Sequence, residues 1–175
     1  MIQLQDLTTC RIMILVMKLA SKTNAVRIIE KAGIPYSEFF YEYQDDSDVG
    51  LHAAAALGYP PNKVFKTLVT KGIKSGIHVF CIPVSCELDL KKAAKAATDK
   101  KIEMIPVKDL LSLTGYIRGG CSPVGMKKQY PVHIDASALN HEQIALSAGE
   151  RGHQVILSPL LLADLIKADF HQLTV

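Results

Sequence analysis

"KVFKTLVTKGIKSGIHVFCIPV", residues 63–84, decides how the rest of the chain is read. Two β-rich runs, 63–71 and 77–84, flank the turn "GIKSG". β-Branched and aromatic residues suit a pleated, half-buried surface, and a short glycine-bearing turn joins such runs into a hairpin. The first run admits two inward-facing sets: Val64, Lys66 and Leu68, or Phe65, Thr67 and Val69. On the first choice Lys66 points into a core or a cleft. An ammonium there needs an anion or a polar substrate to offset its burial. On the second choice Lys66 lies on a wet face. Alternation alone leaves both open.

Upstream of the hairpin, "TNAVRIIEKA" (23–32) reads as a helix with Thr23 as N-cap and Gly33 as its stop. "EFFYEY" (38–43) reads as a strand, and the acidic loop "QDDSD" (44–48) as a cap for a helix over 49–58. Downstream, Asp89 opens a helix over 89–99, with Lys91, Lys92 and Lys95 on or near one face. A short strand at 101–105 and a helix from Pro106 to Leu113 follow. The stretch "TGYIRGGCSPVGMKK" (114–128) reads as strand, then loop. Three short strands lie within 131–137, 143–149 and 153–158, and Ser158-Pro159 starts a last helix running to about Ala168. Helices and strands mix without a strict βαβ rhythm. The expected fold is therefore α+β (mixed α/β), with one strongly twisted mixed sheet and helices packed around it.

The length of 175 residues suggests one domain, and 49% hydrophobic with 21% charged residues fits an ordinary globule. A net charge of +3 permits an anionic partner without specifying one. Cys10, Cys81, Cys86 and Cys121 form no CxxC pair, and no Cys/His spacing suits a metal. No metal or cofactor is expected, and the thiols read as reduced, in a cytoplasmic protein. The N-terminal run "CRIMILVMKLA" (10–20) is interrupted by Lys18 and preceded by Asp6. It is too short to span a membrane and poorly built as a signal peptide. Residues 1–21 read as an extension and 22–175 as the domain, with Met17 an alternative start.

Chemistry centres on residues 119–123. A nucleophilic Cys121 would need a base or a positive field, and the nearest histidine, His133, is twelve positions on with no Cys-His signature. A small buried hydrophobe is the better reading of Cys121. Gly119 and Gly120, followed by Ser122-Pro123, form a loop whose backbone can approach a ligand. Its amides suit a carbonyl oxygen or a phosphate; a plain strand-ending turn is the alternative. Ser147, in "LSAG", is a candidate donor or an ordinary strand-end residue. Lys91, Lys92, Lys95, Lys100 and Lys101 are either a solvated face or a phosphate-neutralising patch.

In order along the chain, "VFKTLVT", "IPVSCELDLKKAAKA", "KIEMIPV", "TGYIRGGCSPVGMKK" and "IDASA…LSAG..G" resemble the YbaK/EbsC family. These are free-standing relatives of the editing domain inserted in bacterial prolyl-tRNA synthetases. The resemblance runs from about Lys22 to Phe170 and is closest to the branch that deacylates Cys-tRNA(Pro) and Cys-tRNA(Cys). It implies a barrel-like sheet and a cleft for the 3′ end of aminoacyl-tRNA. It places a central lysine at Lys66 with Thr67 beside it, and a glycine loop at Gly119, Gly120, Cys121, Ser122 and Pro123. Tyr41 and Ser147 match a pocket tyrosine and serine. Val49 and Gln154 stand where the best-known member has phenylalanine and aspartate. The implied reaction is attack of the substrate's own cysteine thiol on its ester, so the protein supplies no nucleophile. The role of Lys66 stays open between carbonyl and phosphate. Prolyl-tRNA synthetase is admitted as a partner; no membrane or DNA partner is expected. The rival readings are a non-catalytic RNA-binding or regulatory protein, and an enzyme that edits Ala- or Ser-tRNA by water attack.

Overall fold

The computed structural model describes residues 22–44 and 48–175. The expectations for residues 1–21, including Cys10 and Met17, and for the middle of the acidic loop lie outside the described residues. The elements run α1 (Asn24–Lys31), β1 (Tyr36–Phe40), α2 (Val49–Leu57), β2 (Phe65–Gly72), β3 (Ile77–Pro83), α3 (Leu90–Ala96), β4 (Ile102–Met104), α4 (Val107–Thr114), β5 (Val132–Asp135), β6 (Ile144–Ser147), β7 (His153–Leu157), α5 (Pro159–Ile166) and β8 (Asp169–His171). Short 3₁₀ turns follow α2 and β5.

The hairpin is present, with Phe65 opposite Pro83 and Lys71 opposite Ile77. It forms the centre of a five-stranded sheet of order β4-β2-β3-β5-β8, in which β5 runs parallel to both β3 and β8. A second, antiparallel sheet has the order β1-β7-β6. The expectation of one barrel-like sheet is therefore corrected to two sheets and no closed barrel among the described residues. The reason lies at one edge of β2. That edge pairs with β4 only over Thr70–Gly72, and the two sheets join through a single bridge between Val64 and Ala145.

The same edge exposes particular backbone groups. Val84 N donates to Val64 O at 2.8 Å, and antiparallel pairs alternate between bonded and non-bonded. Lys66 and Leu68 therefore turn their peptide groups towards β3, whereas Phe65 and Thr67 turn theirs away from it. Pro83, which has no N–H, stands opposite Phe65 at a non-bonded position.

Both faces of the hairpin are covered. Phe65, Val69, Val79 and Cys81 join α1 and the second sheet in the largest core, with Ala25, Val26 and Val155 fully buried. The opposite face packs Phe80 and Ile82 against Ala93, Ile102 and Leu173, with Leu68 at the margin. Lys66 lies on this second face beside Leu68, so alternation gave no answer because both sets face protein. Phe80 has no exposed surface, and truncating such a side chain to alanine costs about 3–5 kcal/mol.

The caps behave as local chemistry requires. Thr23 accepts from Val26 N, Asp89 from Lys91 N and Lys92 N, and Ser158 from Leu161 N. Asp48 holds the N-cap position of α2 without a side-chain cap bond. The strand expected at the start of 114–128 is absent. That segment is a loop tied by its own side chains, with Tyr116 Oη donating to Val124 O at 2.6 Å. β1 begins two residues earlier than expected, where Tyr36 meets Leu157, and β8 was not anticipated. Among the described residues, no helix is long and apolar enough to cross a membrane.

Candidate active site at the open edge of β2

A cavity of about 250 Å³ opens beside the unpaired part of β2. Phe65, Lys66, Thr67 and Leu68 supply one side of it. Ser147 of β6 and Gln154 of β7, directly opposite each other in the second sheet, supply another together with Tyr41. Val49, Gly50 and Ala53 of α2 close a third. Gly50 lets that helix sit against Val84, since a Cβ there would fall 2.6 Å from a Val84 methyl. Arg118, Gly119 and Cys121 complete the lining from the loop.

Of the residues singled out from sequence, Tyr41, Val49, Lys66, Thr67, Gly119, Cys121, Ser147 and Gln154 thus meet around one cavity. Gly120, Ser122 and Pro123 are not among its lining residues. Gly120 donates its N–H to Ile117 O at 3.0 Å, and a Cβ there would press on the Glu150 backbone at 3.0 Å. Ser122 is fully buried and accepts from Val124 N at 3.2 Å, which folds the loop back on itself. Pro123 lines a separate hollow with Val124 and Gly125. Gly119, at φ +86°, is the glycine that reaches the cavity, and a Cβ on it would collide with the Tyr43 ring. The amides of Gly119 and Cys121 have no hydrogen-bond partner among the described residues.

The electrostatics are one-sided. Lys66 Nζ meets Glu87 Oε1 at 3.1 Å, with the lysine side chain 27% exposed and the glutamate 86% exposed. A pair that wet is weak and can exchange its carboxylate for another anion. Arg118 is exposed, and its guanidinium has no carboxylate partner among the described residues. Its carbonyl accepts from Arg151 Nε at 3.0 Å, and Arg151 lies over the Tyr43 ring at 4.7 Å. Among the described residues, no aspartate, glutamate or histidine lines the cavity. Arg118 was not singled out from sequence, although it precedes Gly119 directly in the loop.

Two polar atoms of the cavity are buried without a hydrogen-bond partner among the described residues, Tyr41 Oη and Gln154 Oε1. Burial pushes the Tyr41 hydroxyl above its ordinary pKa, opposed in part by the neighbouring Gln154 amide. Buried polar groups left unpaired cost about 1–3 kcal/mol each, so a polar partner entering the cavity would offset that cost. The Cys121 thiol is pushed up to about 12 by burial. With no base beside it, it is neither a thiolate nor activated. Ser147 Oγ accepts from Gly149 N at 3.3 Å, and no base adjoins it either.

Comparison with known proteins gives the family. A protein of Enterococcus faecalis (strain ATCC 700802 / V583), provisionally named Cys-tRNA(Pro)/Cys-tRNA(Cys) deacylase EbsC, is 45% identical over 157 residues, covering 90% of this chain and 96% of that protein. Two solved structures share the fold. One, provisionally described as a trans-editing enzyme for prolyl tRNA synthetase, has a TM-score of 0.74 at 23% identity, covering 89% of this chain and 99% of its own. The other, hypothetical protein APE2540, has a TM-score of 0.78 at 20% identity, covering 87% and 100%. The family model for the aminoacyl-tRNA editing domain matches residues 51–165, a span that contains β2, the glycine loop, Ser147 and Gln154. The chain belongs to the aminoacyl-tRNA editing domain family.

Proposed function

We propose that the protein is a trans-editing deacylase that clears Cys-tRNA(Pro) and Cys-tRNA(Cys), using the cysteine thiol of the substrate to cleave its own ester. One observation carries this reading: among the described residues, the cavity is lined by two cations and by loop residues with unpaired amides, and by no carboxylate, histidine or activated nucleophile. An aminoacyl ester is already activated and needs positioning and charge stabilisation more than a protein nucleophile. The relative named for Cys-tRNA deacylation supports the choice of amino acid.

The steps follow from these groups. A free thiol has a pKa of about 8.5, and the field of Lys66 and Arg118 favours its thiolate. Sulfur attacks the ester carbon, and a C–S bond forms. Negative charge grows on the carbonyl oxygen, within reach of Lys66 and the free amides of the loop. The ester C–O bond then breaks, and the 3′ hydroxyl of the tRNA leaves with the proton that the thiol gave up. Cysteine departs as a small cyclic thioester. Tyr41 Oη and Gln154 Oε1 find their missing partners on the substrate's amino group and side chain. The setting of the reaction is the cytoplasm, and prolyl-tRNA synthetase is the proposed source of the mischarged tRNA.

The test compares tRNA(Pro) charged with cysteine, serine, alanine, proline and aminobutyrate in single turnover. Aminobutyrate replaces the thiol by a methyl group at nearly constant size. Cleavage confined to the cysteinyl ester is the expected result. Equal cleavage of the aminobutyryl ester overturns the mechanism, and binding without any cleavage overturns the enzymatic reading.

A further inference from the structure

A second cavity, of about 200 Å³, adjoins the first. The two share Thr67, Leu68, Arg118, Gly119 and Cys121, so the open edge of β2 and the glycine loop form a common rim. Beyond that rim the second cavity is apolar, walled by Val69, Met104, Ile105, Val107 and Leu110. Met104 is 48% exposed and Val107 62% exposed, so the outer part of this apolar wall is open to solvent. Its charged residue is Arg118.

We propose that this second groove holds the terminal base of the tRNA, with Arg118 at the rim on the adjoining phosphate. The inference rests on the reading of the first cavity as the aminoacyl site. The argument is one of connectivity. An aminoacyl group held between Tyr41 and Gln154 is esterified to a ribose, which must then lie at the cavity mouth. The base leaves that ribose sideways and needs an apolar surface within one sugar's reach. The groove across the shared rim is such a surface. Its aliphatic side chains can pack against the face of a base and offer almost no hydrogen-bonding groups, so it grips a base by shape. That suffices, because every tRNA ends in the same base and reading it conveys nothing about which tRNA is bound. Single-stranded nucleic acids are held elsewhere by aromatic platforms for the bases and cations for the backbone; here aliphatic side chains take the place of the platform. The placement also divides the two cations. Arg118 borders both cavities and takes the phosphate, whereas Lys66 borders only the first and is left for the carbonyl.

The experiment has two arms. In the first, AMP is titrated into the isotope-labelled full-length protein and amide shifts are mapped. Shifts are expected at Met104, Val107 and Leu110. Shifts centred on Tyr41, Ser147 and Gln154 would exchange the two subsites and overturn the proposal, as would no shift at millimolar AMP. In the second, Val107→Asp and Met104→Asp, both at exposed positions, are assayed on Cys-tRNA(Pro) and on a small cysteine ester that lacks a nucleoside. The ratio of kcat/KM for tRNA to that for the small ester is expected to fall by roughly tenfold, the scale of one lost base contact. An unchanged ratio in both variants overturns the groove. The AMP map does not depend on turnover, so a protein that cleaves no ester sinks the proposed function without deciding this one.

Discussion

The cleft beside β2 and the histidine pair in the five-stranded sheet show the same symptom with different meanings. Both contain buried polar atoms without partners: Tyr41 Oη and Gln154 Oε1 in the cleft, His78 Nε2 and His133 Nδ1 in the sheet. In the cleft the orphans border open space, next to two cations. In the sheet, His78 Nδ1 and His133 Nε2 bond each other at 3.0 Å, and His133 stacks on Phe80 with centroids 4.9 Å apart. Both histidines are buried. An unpaired atom facing a cavity is a site waiting for a ligand, whereas one packed against rings is a cost carried by the fold.

The largest expected effect tests the cleft. Lys66→Ala should lower kcat/KM on Cys-tRNA(Pro) by about 10²–10³-fold, the scale of removing one preorganised donor to a developing oxyanion. Lys66 is partly exposed and, among the described residues, pairs with a well-solvated glutamate, so far-ultraviolet circular dichroism should be unchanged. An unaltered single-turnover rate would take Lys66 out of the site and erase the contrast with the histidine pair.

The second effect tests the sheet. Burial lowers the pKa of His133 to about 4, reinforced by His78 and His171 and opposed by Asp169. Burial also lowers His78, opposed by the Ser75 backbone and Asp99. Both folded-state values lie below the ordinary histidine value of about 6.5. Between pH 6.5 and 4 the unfolded chain therefore binds more protons, and stability falls as the solution is acidified. The loss should be on the order of 2 kcal/mol, read by urea unfolding at several pH values. His133→Leu should flatten this slope. An identical slope in the variant would mean that other groups carry it. Asp99, held well below the ordinary carboxylate range by Ser75 and backbone amides, acts only at lower pH and does not confuse the window.

What could be read from sequence divides along a similar line. Helix caps at Thr23, Asp89 and Ser158 were legible because each is settled within four residues. The hairpin was legible because pattern and turn agree. The split into two sheets was not, since it turns on how far the β2 edge stays unpaired and on one bridge between residues 64 and 145. The cleft was half legible. The resemblance brought Lys66, Ser147 and Gln154 together across the chain, which no local pattern does. It also gave Ser122 the same standing as Gly119, although the hydroxyl turns inward to Val124 N. Composition cannot tell a serine that bonds its own loop from one that faces a ligand. Arg118 was missed because a lone arginine beside two glycines looks like any exposed cation until the two cavities are seen to share it.

A smaller effect separates site from scaffold most directly. Gln154→Leu removes an orphan acceptor but also the amide beside the buried Tyr41 hydroxyl, so the stability of the free protein should change by less than about 1 kcal/mol. The same change should lower deacylation about tenfold, because the substrate loses a partner the free protein never had. Little change in stability with a loss of rate is the pattern of a polar group kept for function. Lower stability together with unchanged rate would place Gln154 with the histidines, as part of the fold.

The smallest effect is expected at Cys121. Its thiol lines both cavities, yet it is 8% exposed and pushed up to about 12 by burial. A thiol in that state is a small apolar group, and the attacking sulfur belongs to the substrate. Cys121→Ser exchanges it for a hydroxyl of similar shape, close to Thr114, whose side chain eases the Cys121 shift. The rate should stay within roughly threefold, the residue of a slight change in loop packing. Cys121→Ala removes the heteroatom altogether and should behave alike. If both variants fold and both lose activity completely, the nucleophile resides in the protein. The cleft would then have to activate a buried thiol without a base, against every neighbour it has.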